Sequence, residues 1–443
     1  MPASYRKKPV ARYRKCRLIH PPFNHPNRHT MTASHSTDIV VFGGGIAGLW
    51  LLNRLRDEGY NAILLEADGL GAAQTLASQG IIHGGLKYAL GGSVTDAANT
   101  IAALPARWRA CFDGTGEIDL SSCEVLSERY YMWSSASYRS KIKAFFGSKS
   151  LQGRVQAVPR DEFPPFFAEA TVEGSLYALP DFAVDTPSLL SVLRARYEAS
   201  IFKVDPRDIR FTRDASGCAS SVTLRAGTGI GEAVRDAEND TVSIDAQRMI
   251  FCAGKGNQTL IDAAGMRKPA SQLRPLNMVW VKKAGLGSVF AHCIGEDFSL
   301  TPKLTVTTHT ADDGMPVWYL GGELAESGVG VPDDELIERA KRLIADLFPW
   351  VDLSGAQWGC FAIDRAEAKM ADGSRPDGAL FIAEDGYIAA WPTKLTLTPA
   401  LADGVLAELA DSVTKQAGDG TPTLDALAQI FPKATLAKAH WDR

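Results

Sequence analysis

A glycine turn between two short apolar strands constrains this chain more than any other feature. Gly43-Gly44-Gly45-Ile46-Ala47-Gly48 fits G-x-G-x-x-G. It follows the β-branched run Asp38 to Phe42 and opens the stretch Ile46 to Glu58, where Leu49, Leu52 and Leu55 recur at helical spacing. Gly59 is placed to end that helix, and Ala62 to Leu65 reads as a second strand ending on Glu66. Together they form a βαβ unit within about 30 residues. Gly43 permits the tight turn, Gly45 lets the backbone approach a pyrophosphate, and Gly48 lets helix and strand pack closely. The helix start at Ile46 and Ala47 offers free N–H groups and positive dipole to the phosphates. Glu66 lies 18 residues after Gly48. A carboxylate there accepts hydrogen bonds from ribose hydroxyls and disfavours a 2′-phosphate, and Ala67 beside it belongs to the same nucleotide site.

The next stretch points to a flavin rather than a nicotinamide dinucleotide. Gly71 to Gly80 is small and polar, and Gln74, Thr75, Ser78, Gln79 and Gly80 can lie along an extended pyrophosphate. Far along the chain, Trp391 to Ala400 opens a helix whose N-terminus, through Lys394, Leu395 and Thr396, can stabilise negative charge on a reduced flavin. A second dinucleotide fingerprint is absent: Gly227-Thr228-Gly229-Ile230-Gly231 sits between strand-like runs and reads as a hairpin tip. Ala253 and Gly254 close a buried strand, Arg248 to Cys252, that approaches the cofactor. The expected cofactor is FAD.

Composition excludes several other classes. The net charge is -4 and the pI about 6.1, which argues against a general nucleic-acid binder. Seven cysteines show no C-x-x-C spacing, so neither a zinc site nor a redox loop is expected, and scattered thiols suit a reduced, cytoplasmic setting. No metal site is expected. No apolar run approaches the roughly 20 residues that span a bilayer; a peripheral membrane contact stays open. Residues 1–35 form a basic extension outside the fold, with eight Lys and Arg and no acid before Met31, read as a disordered arm or an upstream start.

The fold class is α/β: a Rossmann-like FAD-binding domain, discontinuous over 36–110, 170–270 and 355–420, with an inserted β-rich substrate domain over 111–169 and 271–354. Asp185-Thr186-Pro187 signals a helix start, and Pro332 to Leu347 reads as an amphipathic helix.

At this point the chain resembles the D-amino-acid-oxidase superfamily of FAD-dependent oxidoreductases over about residues 36 to 412. Ser78-Gln79-Gly80-Ile81-Ile82-His83-Gly84-Gly85-Leu86-Lys87-Tyr88 and Lys394-Leu395-Thr396-Leu397-Thr398 are similar to two patches of the FAD-dependent glycerol-3-phosphate dehydrogenases. The first is also similar to the L-2-hydroxyglutarate dehydrogenases. Lys87 stands where the glycerol-phosphate family has Arg, and Pro392-Thr393 replace its paired glycines. The resemblance implies hydride transfer from a C–H beside an alcohol or amine to flavin N5. It implies Arg365 as the substrate-binding arginine, Lys87 and Lys394 as further cations for an anionic substrate, and Val204 as the position whose backbone meets the adenine.

His83 and His309 are the candidate general bases, since an imidazole titrates near neutrality; His83 also suits a structural role. Arg274 begins the capping sheet and is a lesser substrate candidate. The preferred reaction is oxidation of a small anionic 2-hydroxy compound, a 2-hydroxy acid or a glycerol-phosphate-like alcohol. An amine or amino-acid oxidase of the same fold, and a flavoprotein acting on a macromolecule, are the alternatives. The electron acceptor stays open among oxygen, a quinone and an electron carrier.

Overall fold

A computed structural model of the protein describes residues 34–85, 96–135, 155–207, 209–226, 241–294, 301–374 and 376–443. Residues 1–33 of the basic extension, the 227–231 tip and Lys87 lie outside the described residues, whereas Ser34 and His35, which the boundary at 35 assigns to the extension, begin the first strand and pair with Ser243 and Ile244.

The glycine turn sits where the sequence places it. Strand β1 (Ser34–Phe42) leads into helix α1 (Ile46–Asp57) and then strand β2 (Ala62–Glu66). β1 pairs in parallel with β2 on one side and with the Thr241–Phe251 strand on the other. Ile39, Val40 and Val41 are all fully buried, as a parallel strand covered on both faces must be. Alternate side chains feed two cores. Ile39 and Val41 pack under α1 and the helices Thr186–Arg196 and Thr398–Ala410; Val40 and Phe42 pack under Asn257–Ala263 and Thr421–Ile430. Asp185 caps its helix by accepting the Ser188 N–H at 2.7 Å, with Pro187 in the first turn.

This first sheet has eight strands. Beyond β2 lies Ile201–Lys203. The Thr241–Phe251 strand is long enough to take two further partners along its outer edge. Its first half pairs antiparallel with Ala219–Arg225, and its last residues pair in parallel with Tyr387–Trp391.

A second eight-stranded sheet stands over the first. Its strands come from three separate stretches of chain: Tyr130–Ser135, Gln156–Val158 and Gly174–Leu179; then Ser271–Lys282, Ala291–Ile294, Leu304–Thr310 and Pro316–Gly321; and last Gln357–Ala368. The expected amphipathic helix, Asp333–Leu347, packs Leu336, Ala340 and Ile344 against it. Gly174–Leu179 and Gln357–Ala368 therefore belong to the second sheet, whereas the boundaries 170–270 and 355–420 assign them to the first domain. Pairing energy decides this: Gln357–Ala368 is in register with Ser271–Lys282 along twelve residues. Residues 421–443 also lie inside the fold, beyond the expected boundary at 420.

Cys111, Cys123, Cys252, Cys293 and Cys360 are free thiols, as expected, whereas Cys218 is disulfide-bonded. No described helix is long and apolar enough to cross a membrane.

Candidate active site

The three fingerprint glycines have three different reasons to be glycine. Gly43 has φ +103°, and a Cβ there would lie 2.6 Å from the Cys252 carbonyl oxygen and from Ala253 Cα. At Gly48 a Cβ would lie 1.9 Å from the Gly43 carbonyl oxygen, so the helix start could not close on the turn. Gly45 differs: among the described residues its Cβ would meet within 4 Å only Thr75 Oγ1, at 3.1 Å. Its bare face is turned toward a cavity of about 750 Å³. That is the cradle a pyrophosphate requires, in which a side chain would take the space of the ligand and crowd the Thr75 hydroxyl.

Glu66, Ala67, Val204, the glycine turn, Gln74, Thr75, Ser78, Gln79, Ala253, Gly254, Arg365, Lys394 and Leu395 all line the cavity. The Glu66 carboxylate accepts the Gly44 N–H and, at 2.7 Å, the Asp68 N–H. Burial pushes its pKa up, and these amides offset the shift. The Val204 N–H donates to the Glu66 carbonyl at 2.8 Å, which sets the Val204 backbone beside the acid.

Several predicted contacts act by holding the wall in shape. Thr75 Oγ1 accepts the Ile46 N–H at 3.0 Å and so fixes the start of α1. Ser78 Oγ donates to the Thr75 carbonyl at 2.8 Å. Gln74 Oε1 accepts the Ala366 N–H at 3.1 Å. Gln79 Nε2 donates to the Tyr319 and Thr305 carbonyls at 2.7 and 3.1 Å. The last two tie the cofactor loop to the second sheet. Ala253 is set by Asn257, whose Oδ1 accepts the Ala253 N–H at 2.7 Å while its Nδ2 donates to the Ala390 carbonyl at 3.1 Å.

Other predicted residues stand off the wall. Gly48 serves packing only. Gly80 has φ +67°, and its Cβ would lie 2.1 Å from the Val184 carbonyl oxygen; a neighbouring strand, not a cofactor, demands glycine there. Thr396 is fully buried and donates from Oγ1 to the His83 carbonyl at 3.1 Å. His83 does not line the cavity, so the structure places it with this loop-to-helix contact. His309 is buried in the second sheet between Tyr319 and Trp441. Its Nε2 lies 2.9 Å from Thr307 Oγ1 and its Nδ1 has no partner among the described residues. Burial pushes its pKa down to about 3, so it is a neutral core side chain.

Arg365 lines the cavity. The Gln357–Ala368 strand carries Ile363 and Arg365 on one face, and its partner Ser271–Lys282 carries Arg274, Leu276 and Met278 opposite them. Leu276, Met278, Ile363 and Arg365 form an aliphatic ceiling with one cationic corner. Burial and the facing Arg274 both hold the Arg365 pKa below its usual value. Its Nη1 lies 3.6 Å from Glu326, while Arg274 has Glu367 at 3.7 Å. Like charges directly opposite on a ladder repel; each here has its own acid. Lys394 lines the cavity at the entry to the last helical region, next to Thr393, whose φ of +60° is unusual for a threonine.

Sequence reasoning missed the ceiling residues Leu276, Met278 and Ile363. Strand alternation there looks the same for a core face and a cavity face. The pairing of Leu276 with Ile363 across the sheet is what separates the two.

A largely parallel sheet core with a glycine turn, an acid at the end of its second strand, and a β-sheet ceiling over a cavity of about 750 Å³ define a dinucleotide-binding protein with room for a second ligand. The comparisons make this particular. The family model for the FAD-dependent oxidoreductases of the DAO type matches residues 38–409, and the chain belongs to that family. It is 40% identical to the probable FAD-dependent oxidoreductase PA4991 of Pseudomonas aeruginosa, over 93% of this chain and 99% of that one. The crystal structure of PA4991 superposes with a TM-score of 0.76 at 36% identity, again covering 93% and 99%. L-α-glycerophosphate oxidase from Mycoplasma pneumoniae, with FAD bound, shares the fold at TM-score 0.61 and 14% identity, covering 87% and 98%. Glycine oxidase from Geobacillus kaustophilus does so at 0.57 and 16%, covering 88% and 98%. The protein is an FAD-dependent oxidoreductase.

Proposed function

We propose that the protein oxidises a small anionic 2-hydroxy compound, a 2-hydroxy acid or a glycerol-phosphate-like alcohol. The observation that carries this reading is Arg365 at the corner of an otherwise aliphatic ceiling. A guanidinium there holds a carboxylate or phosphate in bidentate fashion. Leu276, Met278 and Ile363 exclude water around the carbon that reacts. Lys394, also on the wall, adds a second positive charge. The flavin, when bound, supplies the hydride acceptor. The protein's part is to place the substrate C–H and hold its anionic group.

One observation favours the amine alternative. Neither His83 nor His309 lines the described cavity. An alcohol needs a group to take its proton as hydride leaves, whereas a neutral amine loses hydride to give an iminium ion with no proton transfer in that step.

Anaerobic bleaching of the bound flavin separates the two. The panel holds 2-hydroxy acids, glycerol 3-phosphate, and D- and N-methyl amino acids. Bleaching by a hydroxy compound supports the proposal, and bleaching by amines alone overturns it. Arg365→Ala is expected to raise KM for the anionic substrate at least tenfold, the loss of one charge-assisted contact worth ~1.5–3 kcal/mol, while FAD stays bound. Unchanged kinetics would take Arg365 out of the site.

A further inference from the structure

Residues 433–443 touch both walls of the cavity without lining it. At one end they run beside the cofactor loop. Leu70 pairs in parallel with Leu436, the Leu70 N–H donates to the Thr435 carbonyl at 2.8 Å, and the Ala437 N–H donates to the Leu70 carbonyl at 3.1 Å. The fit is close enough that a Cβ on Gly69 would lie 3.1 Å from that of Ala437. Gly69, Gly71 and Ala72 on this loop line the cavity.

At the other end the same segment is locked to the second sheet. His440 stacks on Phe361 with ring centroids 3.4 Å apart and planes within 4°. Phe361 is on the ceiling strand, on the face that carries Ile363 and Arg365. Trp441 packs edge-on to Tyr319 at 5.4 Å and against His309 at 5.1 Å. Tyr319 Oη in turn donates to the Ala77 carbonyl at 2.7 Å. Asp442 accepts the Asp312 N–H at 3.0 Å, and Lys438 pairs with the Asp312 carboxylate at 3.0 Å. Arg443 then returns to the loop, donating from Nη2 to the Ala72 carbonyl at 3.2 Å.

The segment is thus fastened twice to the loop and between those points to the ceiling. Gln74 and Gln79 join the same two walls further along the loop. The 69–72 stretch, which curves round the glycine turn, has the 433–443 segment as its link to the second sheet.

We propose that residues 433–443 are a strap that retains FAD, with Trp441 and Arg443 as positioning residues. They fix the loop over the pyrophosphate cradle at a set distance from the ceiling. This rests on the flavin site, not on the choice of substrate. A ligand held between two walls leaves faster when the walls are untied, because binding then has to order them.

The test is FAD release from holoenzyme, followed as the rise in free-flavin fluorescence on dilution. Trp441→Ala is expected to release FAD about tenfold faster, the effect of losing aromatic contacts of this size. Arg443→Ala, which removes only the return contact to Ala72, should accelerate release by a smaller, measurable factor. Trp441→Phe should restore slow release. Trp350→Ala, an equally aromatic deletion at a half-buried position packed against the core of the second sheet, should leave the rate unchanged. Wild-type release from Trp441→Ala, or equal acceleration by Trp350→Ala, overturns the proposal. Should Trp441→Ala fail to fold, Arg443→Ala decides, and an unchanged rate there overturns it. A wild-type protein that binds no FAD would overturn the flavin site itself, a separate outcome.

Discussion

The glycines show how one residue type answers to different neighbours. Gly48 is forbidden a side chain by its own backbone, 1.9 Å from the Gly43 carbonyl oxygen, whereas a Cβ on Gly45 would crowd only the Thr75 hydroxyl, at 3.1 Å, beside the open cradle. Their substitutions should therefore fail differently. Gly48→Val is expected not to fold, since no rotamer can move a backbone oxygen aside. Gly45→Val is expected to fold with near wild-type secondary structure by circular dichroism and to purify colourless. A yellow Gly45→Val protein would remove the pyrophosphate from that face. The fingerprint was legible in the sequence because its glycines stand at fixed short spacing between a strand and a helix, although the Cys252 and Ala253 backbone that closes on Gly43 comes from far along the chain. His309 was not. Thr307-His309 reads as a strand whose inner and outer faces are equivalent until its partners are known, and only the packing of Tyr319 and Trp441 puts the imidazole in the core. Gly80 misled for the reverse reason: a glycine in a polar loop looks cofactor-facing, but a strand over 100 residues away demands it.

At the scale of elements, the cofactor loop is a bridge. Gln79 puts one amide onto two carbonyls of the second sheet, and Tyr319 returns a hydrogen bond to Ala77. Gln79→Ala leaves the Tyr319 and Thr305 carbonyls short of a donor, which costs ~1–3 kcal/mol when such groups are buried. The expected result is a midpoint in urea lowered accordingly with an unchanged m-value, and an altered flavin absorption envelope. Denaturation indistinguishable from wild type would show that solvent replaces the glutamine. The pattern of elements followed from periodicity and from the Asp185 and Gly59 signals, which are short-range. The ceiling did not, because the Ser271–Lys282 and Gln357–Ala368 strands join across a gap in sequence that no local pattern spans.

For the whole molecule, two buried groups give its stability a pH dependence with opposing parts. His309 has a folded pKa of about 3 against an ordinary 6.5. Between those values the unfolded chain holds the extra proton, so the contribution of His309 is lost as pH falls below 6.5. Asp181, whose carboxylate accepts the Gly84 N–H at 2.8 Å, is pushed by burial from 3.8 up to about 6. There the folded chain holds the extra proton, and stability rises as pH falls through that window. Each effect is at most ~1.4 kcal/mol per pH unit, and between 3.8 and about 6 they oppose one another. Relative to wild type, Asp181→Asn should lose stability more steeply on acidification, and His309→Phe less steeply. Parallel curves for all three proteins in thermal melts from pH 4 to pH 7 would refute both assignments.

The order in which the first sheet is assembled bears on how the protein is made. Thr241–Phe251 takes β1, some two hundred residues upstream, along one side, but Met249 to Phe251 meet Tyr387–Trp391 on the other. On the ribosome, the second side of that stretch has no partner until residue 391 has left the exit tunnel. A parallel, apolar strand end with unpaired amides is an invitation to other chains. Such non-local pairing is also slow to form. Yield in a foreign host should therefore depend more on chaperone supply and growth temperature than on the stability of the finished molecule, and nascent chains stalled before Tyr387 should be the species that aggregate.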